Sequence, residues 1–461
     1  MPPLTQSTTA PPALPPEDHP SAKQRRALLA VMLAVALATL DSTITSTALP
    51  RIAAALQAQP AAAIWVINAY QLAVVACLLP FAALADRLSA RRVHLGGLAF
   101  FLLASLASAL ASSLTSLAMA RALQGVGVAA MMSVNIALVR QLYPAHQLGR
   151  GVGLNALVVG VSFAIGPTVA SLLLAVLSWP WLYLLNLPLG LLAFWAAKQA
   201  LPRRARQGQP IDRLAMLLTG LTFASAIGAL SAATQRAPGA WVLALGALTV
   251  FAGTWLLRRQ AGQAAPMLPV DLLRRPLFAL SVATAMASFA AQSLAFVSLP
   301  FFLENVLQRS PVQTGFLIAP WAVVVAAAAP LAGRLSDHYP PGLLGGIGLL
   351  LLSGGLVSLG LLTPAATVTD IVWRMALCGA VFGLFQSPNL NALMSAAPPE
   401  RSGGASGMVA MARLNGQAIG AALVALCFGL AGAKGPVWAL LLGGAFAGLA
   451  ALASSARLLL R

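Results

Sequence analysis

Charge is what this chain has least of. Only 8% of its 461 residues are charged and 59% are hydrophobic, where a soluble domain carries about 25% charged residues. Acids are the scarcest, 10 Asp and Glu against 28 Lys and Arg. That balance leaves no room for a large soluble domain and describes a chain that crosses a membrane many times. The net charge of +18 lies in short loops between apolar runs. It forms no basic face, so nucleic acid is not implied as a partner. Cysteine is nearly absent. Cys77, Cys378 and Cys427 stand far apart in apolar runs with no CxxC or Cys/His spacing, which argues against a disulfide framework or a zinc site. There is no phosphate-binding loop, no Ser/His/Asp set and no histidine cluster. His94, His146 and His338 fall in or near loops and read as ordinary loop residues. No enzyme, cofactor, metal or nucleotide is implied.

What is present is a series of apolar runs. A span needs about 20 mostly apolar residues. Fourteen runs meet that length, at 27–49, 62–84, 93–112, 117–139, 151–176, 180–199, 213–233, 241–257, 277–301, 313–332, 342–362, 368–390, 404–430 and 437–456. Residues 1–22, rich in Pro, Ser, Thr and Ala, read as a disordered cytoplasmic tail. Lys23, Arg25 and Arg26 hold the start of the first span in the cytoplasm. With both ends inside, only Arg51, Arg236, Arg309 and Lys434 fall outside and Arg121, Arg374 and Arg413 fall within spans. All other Lys and Arg are then cytoplasmic, as the positive-inside rule requires.

A faint repeat divides the chain. Ala82–Asp86 matches Gly333–Asp337, Arg121–Gly125 matches Arg374–Gly379, and Gly153 with Gly166 matches Gly407 with Gly420. The fold expected is all-α and polytopic. It has two similar six-helix bundles, 23–200 and 261–456, with an inserted two-helix hairpin at 201–260 and a short cytoplasmic tail at 457–461. Such halves place a site between them near mid-membrane and rock about it.

Asp41 stands well inside the first run and is the only acidic residue read as lying inside one. A carboxylate in hydrocarbon costs roughly 2.5–3.5 kcal/mol on insertion scales, so it calls for a role and a partner. Arg121, one turn into the fourth span from the outer side, lies at similar depth. Pairing would offset part of the cost of both charges. Opposing effects of Arg121 and burial would let Asp41 change protonation as a cavity opens and closes. The plain alternative is a permanent salt bridge that fixes the fold.

Five stretches carry a family resemblance. Leu40 to Pro50 resembles an L-D-x-T-I-x-x-x-A-L-P pattern, and Ala82 to Arg92 resembles G-x-L-A-D-R-x-G-R-R-R. Arg121 to Gly127, Gly153 through Gly166-Pro167, and Trp179 to Gly190 complete the series. In this order they resemble the major facilitator superfamily, in its fourteen-helix drug:proton antiporter branch. The sequence departs from the pattern at Ala82, Ser89, Ala90, Ser162 and Ala170-Ser171.

The resemblance implies a proton-coupled exporter of small amphipathic compounds in a bacterial inner membrane, with no nucleotide. A periplasmic adaptor protein is a further partner it allows. A dedicated exporter of one metabolite would carry the same motifs. Asp41 and Arg121 are expected to couple protons. Asp86, Arg87, Arg91 and Arg92 are expected to latch the cytoplasmic mouth, with simple charge anchoring as the alternative. Gly153, Gly166 and Pro167 are expected to form a bend or seam at the bundle interface, with ordinary close packing as the alternative. Trp65, Asn68, Gln292, Phe296, Gln386 and Arg413 are candidates to line the substrate cavity. Interhelical hydrogen bonds, or an interfacial anchor in the case of Trp65, would explain the same residues. Glu304 reads as a solvated loop charge.

Overall fold

The computed structural model describes residues 22–143, 148–202, 212–234, 238–261, 270–336, 338–397 and 402–460. The tail expected at 1–22 lies almost wholly outside them, as does His146. All regular structure among the described residues is helical. The first half contains α1 (Ala22–Ala55), the one-turn α2 (Pro60–Ala63), α3 (Trp65–Leu88), α4 (Ala90–Ala109), α5 (Leu114–Leu142), α6 (Leu148–Val176), α7 (Pro180–Leu184) and α8 (Asn186–Ala200). A pair follows, α9 (Arg213–Thr234) and α10 (Gly239–Gln260). The second half contains α11 (Pro276–Phe301), α12 (Pro311–Ser336), α13 (Pro341–Gly360), α14 (Val368–Ser395), α15 (Ser402–Ala431) and α16 (Gly435–Ala456).

The sequence starts these helices by local chemistry. Pro60, Pro180, Pro276 and Pro341 open four of them, where proline's missing N–H is no loss. α5 and α14 open on capping boxes, Ser113 with Ser116 and Thr367 with Asp370. These two boxes stand in the same repeat register. So do two close helix crossings. A Cβ on Gly125 would lie 2.4 Å from the Tyr70 carbonyl on α3, and one on Gly379 would lie 2.2 Å from the Trp321 carbonyl on α12. The repeat is therefore built into backbone contacts.

Twelve stretches among the described residues are long and apolar enough to cross a membrane, against the fourteen expected. Two features make the difference. In α9 the apolar segment is the shorter Leu214–Ala226. Gly407–Leu460 is one stretch of 54 residues, because α15 and α16 are joined only by the 3-10 turn Gly432–Lys434, in which Lys434 is the single charge.

The buried clusters show where the halves meet. At the end away from the N-terminus, Ile44, Leu49, Ile52 and Ile64 pack with Leu294, Phe301, Val424 and Phe428. This cluster joins both halves. Phe163 on α6 also meets Phe296 on α11, with ring centroids 4.6 Å apart. At the end bearing Arg25, Arg26, Arg91 and Arg92, the cluster around Val31, Val134 and Leu138 belongs to the first half alone. The cluster around Phe278, Leu393 and Met408 belongs to the second. The halves are thus sealed at the far end and not at the basic end. α9 lies across one seam between them, with Phe223 packed against Val75, Leu78 and Leu79 of α3 and Met411 and Ala418 of α15. Asp212 ties this pair of helices at the basic end. It accepts from the Ala215 amide at 3.0 Å and from Arg259 Nε at 2.8 Å. The Arg259 contact and that amide hold the Asp212 carboxyl below the usual carboxylate range.

Three local expectations change. His94 is not a loop residue. α4 begins at Ala90 after a one-residue turn, so His94 is inside the helix and buried. Glu304 sits in a π-helical turn, Phe302–Val306, that continues α11, and is only partly exposed. Asp370 is a second acid within an apolar helix, in the first turn of α14, paired with Arg374 at 3.4 Å.

The turn between α3 and α4 is Ser89, at φ 90° and ψ 142°. That region of backbone space belongs essentially to glycine and costs other residues about 1–3 kcal/mol. Ser89→Gly should relieve it. After the entropy that glycine adds to the unfolded chain is subtracted, we expect a gain of about 1 kcal/mol, read as a higher melting temperature of the purified protein. No gain would show that the turn is unstrained.

Candidate functional site

α1 is rich in hydroxyls around Asp41, and its own backbone accepts from four of them. Thr39 donates to the Val35 carbonyl at 2.9 Å, Thr43 to Thr39 at 3.1 Å, Ser46 to Ser42 at 2.9 Å and Thr47 to Thr43 at 2.9 Å. Such back-bonding is the usual resting state of mid-helix Ser and Thr. Asp41 has no equivalent, since a carboxylate only accepts. It must find donors on other helices.

It finds three. Arg121 Nη1 donates to Asp41 Oδ2 at 2.5 Å. Gln124 Nε2 donates to Oδ1 at 2.8 Å, and Asn186 Nδ2 to Oδ1 at 2.7 Å. Arg121 and Gln124 are three residues apart on α5 and so share a face. Arg121 Nη1 also donates to Gln124 Oε1 at 2.5 Å. Ser105 on α4 closes the ring, accepting from Gln124 at 2.8 Å and from Asn186 at 3.3 Å. The guanidinium carbon of Arg121 lies 4.2 Å from the Tyr70 ring centre and 5.7 Å from that of Tyr183, a cation–π contact on each. Asp41 and Arg121 are each 1% exposed. The result is a buried, net-neutral cluster drawn from α1, α3, α4, α5, α7 and α8. The second half has no counterpart. In the register set by Gly125 with Gly379 and by the two capping boxes, Arg121 and Gln124 correspond to Met375 and Cys378, both buried in an apolar core, and Arg374 falls one residue away from the Arg121 position that the sequence match gave it.

The structure thus brings Asp41 and Arg121 together. Gln124, Asn186, Ser105, Tyr70 and Tyr183 were not foreseen as their partners. The available signal was their polarity inside apolar runs. Arg457 was also missed. It is buried at the basic end of α16 and donates to Ser281 Oγ at 3.1 Å and Asn389 Oδ1 at 2.8 Å, tying α16 to α11 and α14.

The other expected residues are scattered. Arg91 donates to the Lys198 carbonyl at 2.6 Å within its own half. Arg87 and Arg92 are exposed, and the Asp86 side chain lies outside the described residues. Gly153 has nothing within 4 Å of a built Cβ. Gly166 sits tightly on Thr43 of α1, and the Pro167 carbonyl would meet a Cβ on Gly315 of α12 at 2.5 Å. Gly166 and Pro167 therefore stand where α6 touches both α1 and the other half. Trp65 lines an apolar lateral groove of about 450 Å³ between α3, α5 and α9, together with Met119 and Ala224. Asn68 is buried with neither side-chain polar atom hydrogen-bonded. Gln292 and Phe296 are buried on α11, with Phe296 between Phe163 and Trp321. Gln386 is exposed. Of the six residues expected to line the cavity, Trp65 lies in this lateral groove, Asn68, Gln292 and Phe296 are buried, Arg413 is partly exposed and Gln386 is exposed.

Known proteins provide an independent comparison. The family model described as the Major Facilitator Superfamily matches residues 31–421. The chain is 47% identical to the uncharacterized transporter YebQ of Escherichia coli (strain K12) over 434 residues, covering 94% of this chain and 95% of YebQ. It is 27% identical to the riboflavin transporter RibZ of Clostridioides difficile (strain 630), covering 87% of each. It is 31% identical to the multidrug resistance protein Stp of Mycobacterium tuberculosis (strain CDC 1551 / Oshkosh), covering 86% of this chain and 74% of Stp.

Proposed function

We propose, of a chain that belongs to the major facilitator superfamily and is a multi-pass membrane transporter, that it exports small amphipathic compounds in exchange for protons. The observation that carries this reading is the Asp41–Arg121 cluster. It is charged, buried and confined to the first half. It also sits on the same helix as the far-end seal, since Ile44 and Leu49 of α1 pack in the cluster shared with the second half. Rocking that opens the far end shifts α1 against its neighbours, loosens the donors around Asp41 and admits a proton. Closing the far end restores the Arg121 contact and releases the proton toward the basic end. We take the basic end as cytoplasmic, so the seal described above is the inward-facing state, ready to take substrate from the cell. The site for that substrate lies between the halves. In this reading α9 and α10 are an inserted hairpin, and α15 and α16 cross separately, giving fourteen crossings of a bacterial inner membrane.

The test is uptake of an amphipathic fluorescent dye into inverted vesicles carrying the protein, with a proton gradient imposed and no nucleotide. We expect accumulation that a protonophore abolishes. Accumulation that ignores the gradient would overturn the exchange. A second reading, transport of one metabolite, is favoured by the likeness to RibZ. A dye panel against single metabolites separates the two, since one transported compound and no dyes is its signature.

A further inference from the structure

One cation is left over when the charges between the halves are matched. Asp41 and Arg121 neutralise each other, and both Asp41 oxygens are occupied. Arg374 has Asp370, and Arg457 is held by hydroxyls and an amide. Arg413, on α15, has no hydrogen bond or ion pair with any described residue.

Its position follows from the helix wheel. Met411, Leu414 and Ala418 face the first half, where they pack with residues of α3. Gly416 and Gly420 face α11, and their built Cβ atoms would meet the Met286 and Ala290 carbonyls at 2.3 and 2.5 Å. Arg413 falls on the arc between these two faces. That arc looks toward the seam with α3, the helix that carries Tyr70. Tyr70 is the ring on which Arg121 stacks. Arg413 is partly exposed.

An uncompensated guanidinium at this depth is costly unless it faces water or an anion. Its planar fork offers two parallel donors to a carboxylate or sulfonate. A cationic ligand would find the opposite. Asp41 is already neutralised by Arg121 and accepts three hydrogen bonds, and no other acid among the described residues stands at that depth.

We propose that Arg413 is the head-group site for substrate, and that the compounds carried are amphipathic monoanions whose carboxylate or sulfonate it grips bidentately. The proposal rests on the exporter reading for its placement of substrate between the halves, and goes beyond it in naming the charge. It can be tested without any gradient, by dansyl fluorescence of ligand binding to the purified full chain in detergent. The probes are dansyl-leucine, its neutral amide, and the cation dansylcadaverine. Wild type should bind the carboxylate at least about tenfold more tightly than the amide, and the cation no better than the amide. Arg413→Gln should abolish the preference. Arg413→Lys, a point charge without the fork, should keep only part of it. Arg374→Gln should leave it unchanged. Equal affinity of wild type for the three probes would overturn the proposal, whatever the variants do. So would a full preference in either Arg413 variant. Anion preference without gradient-driven uptake would count against proton exchange alone. Uptake without anion preference would count against Arg413 alone.

Discussion

Asp41→Asn should abolish proton-driven uptake and also weaken the fold, and the two losses should separate. Asparagine keeps the shape and can still accept from Gln124 and Asn186. It leaves Arg121 buried at 1% exposure without a counter-charge. Removing one partner of a buried pair costs about 3–5 kcal/mol, because the other charge is stranded. Changing Arg121→Gln as well should recover most of that loss, since neutral, hydrogen-bonded side chains at both positions strand nothing. The double variant should melt near wild type and still fail to take up dye under a proton gradient. If instead the restored double variant shows gradient-driven uptake, the pair is a structural bridge and the proton is carried elsewhere. The stability half of this cycle is measured by thermal unfolding in detergent and the transport half in inverted vesicles.

Gly125→Ala should disturb the same site from behind. The added Cβ would stand 2.4 Å from the Tyr70 carbonyl, a backbone atom that cannot swing aside. α3 and α5 must separate, at about 1–3 kcal/mol for overpacking. Tyr70 should be carried off the Arg121 guanidinium. The repeat mate, Gly379→Ala against the Trp321 carbonyl, should cost a similar amount in the other half without touching the charged cluster. Their stability effects should add, because they share no partner, while gradient-driven uptake should fall further for Gly125→Ala. Equal transport defects in the two variants would mean that Tyr70 has no special part in the cycle.

The sequence made some of this readable and hid the rest for identifiable reasons. Asp41 and Arg121 were legible because each is expensive in an apolar run and both lie at one depth. Gln124 and Asn186 were printed inside recognisable motifs. Their role was hidden because it depends on α5 and α8 converging on the Asp41 face of α1, and helix adjacency is not written in a helical period. His94 was misplaced because a one-residue turn at Ser89 brought the next helix forward. Trp65 and Gln386 share faces with plausible cavity residues, but the facing helix decides what a face sees. For Trp65 those helices are α5 and α9, and a two-bundle scheme leaves α9 out. The span count differed because only the short turn Gly432–Lys434 separates α15 from α16 and because the apolar part of α9 is short.

The position of α9 also makes the molecule's two flanks unequal toward the lipid. α9 closes the α3–α15 flank by packing on both of these helices, whereas among the described residues neither α9 nor α10 packs on the α6–α12 flank. A compound dissolved in the bilayer therefore meets a covered wall on one side and bare helices on the other. For the exporter proposed above, the α6–α12 flank is the side on which α9 and α10 place no further helix between lipid and seam.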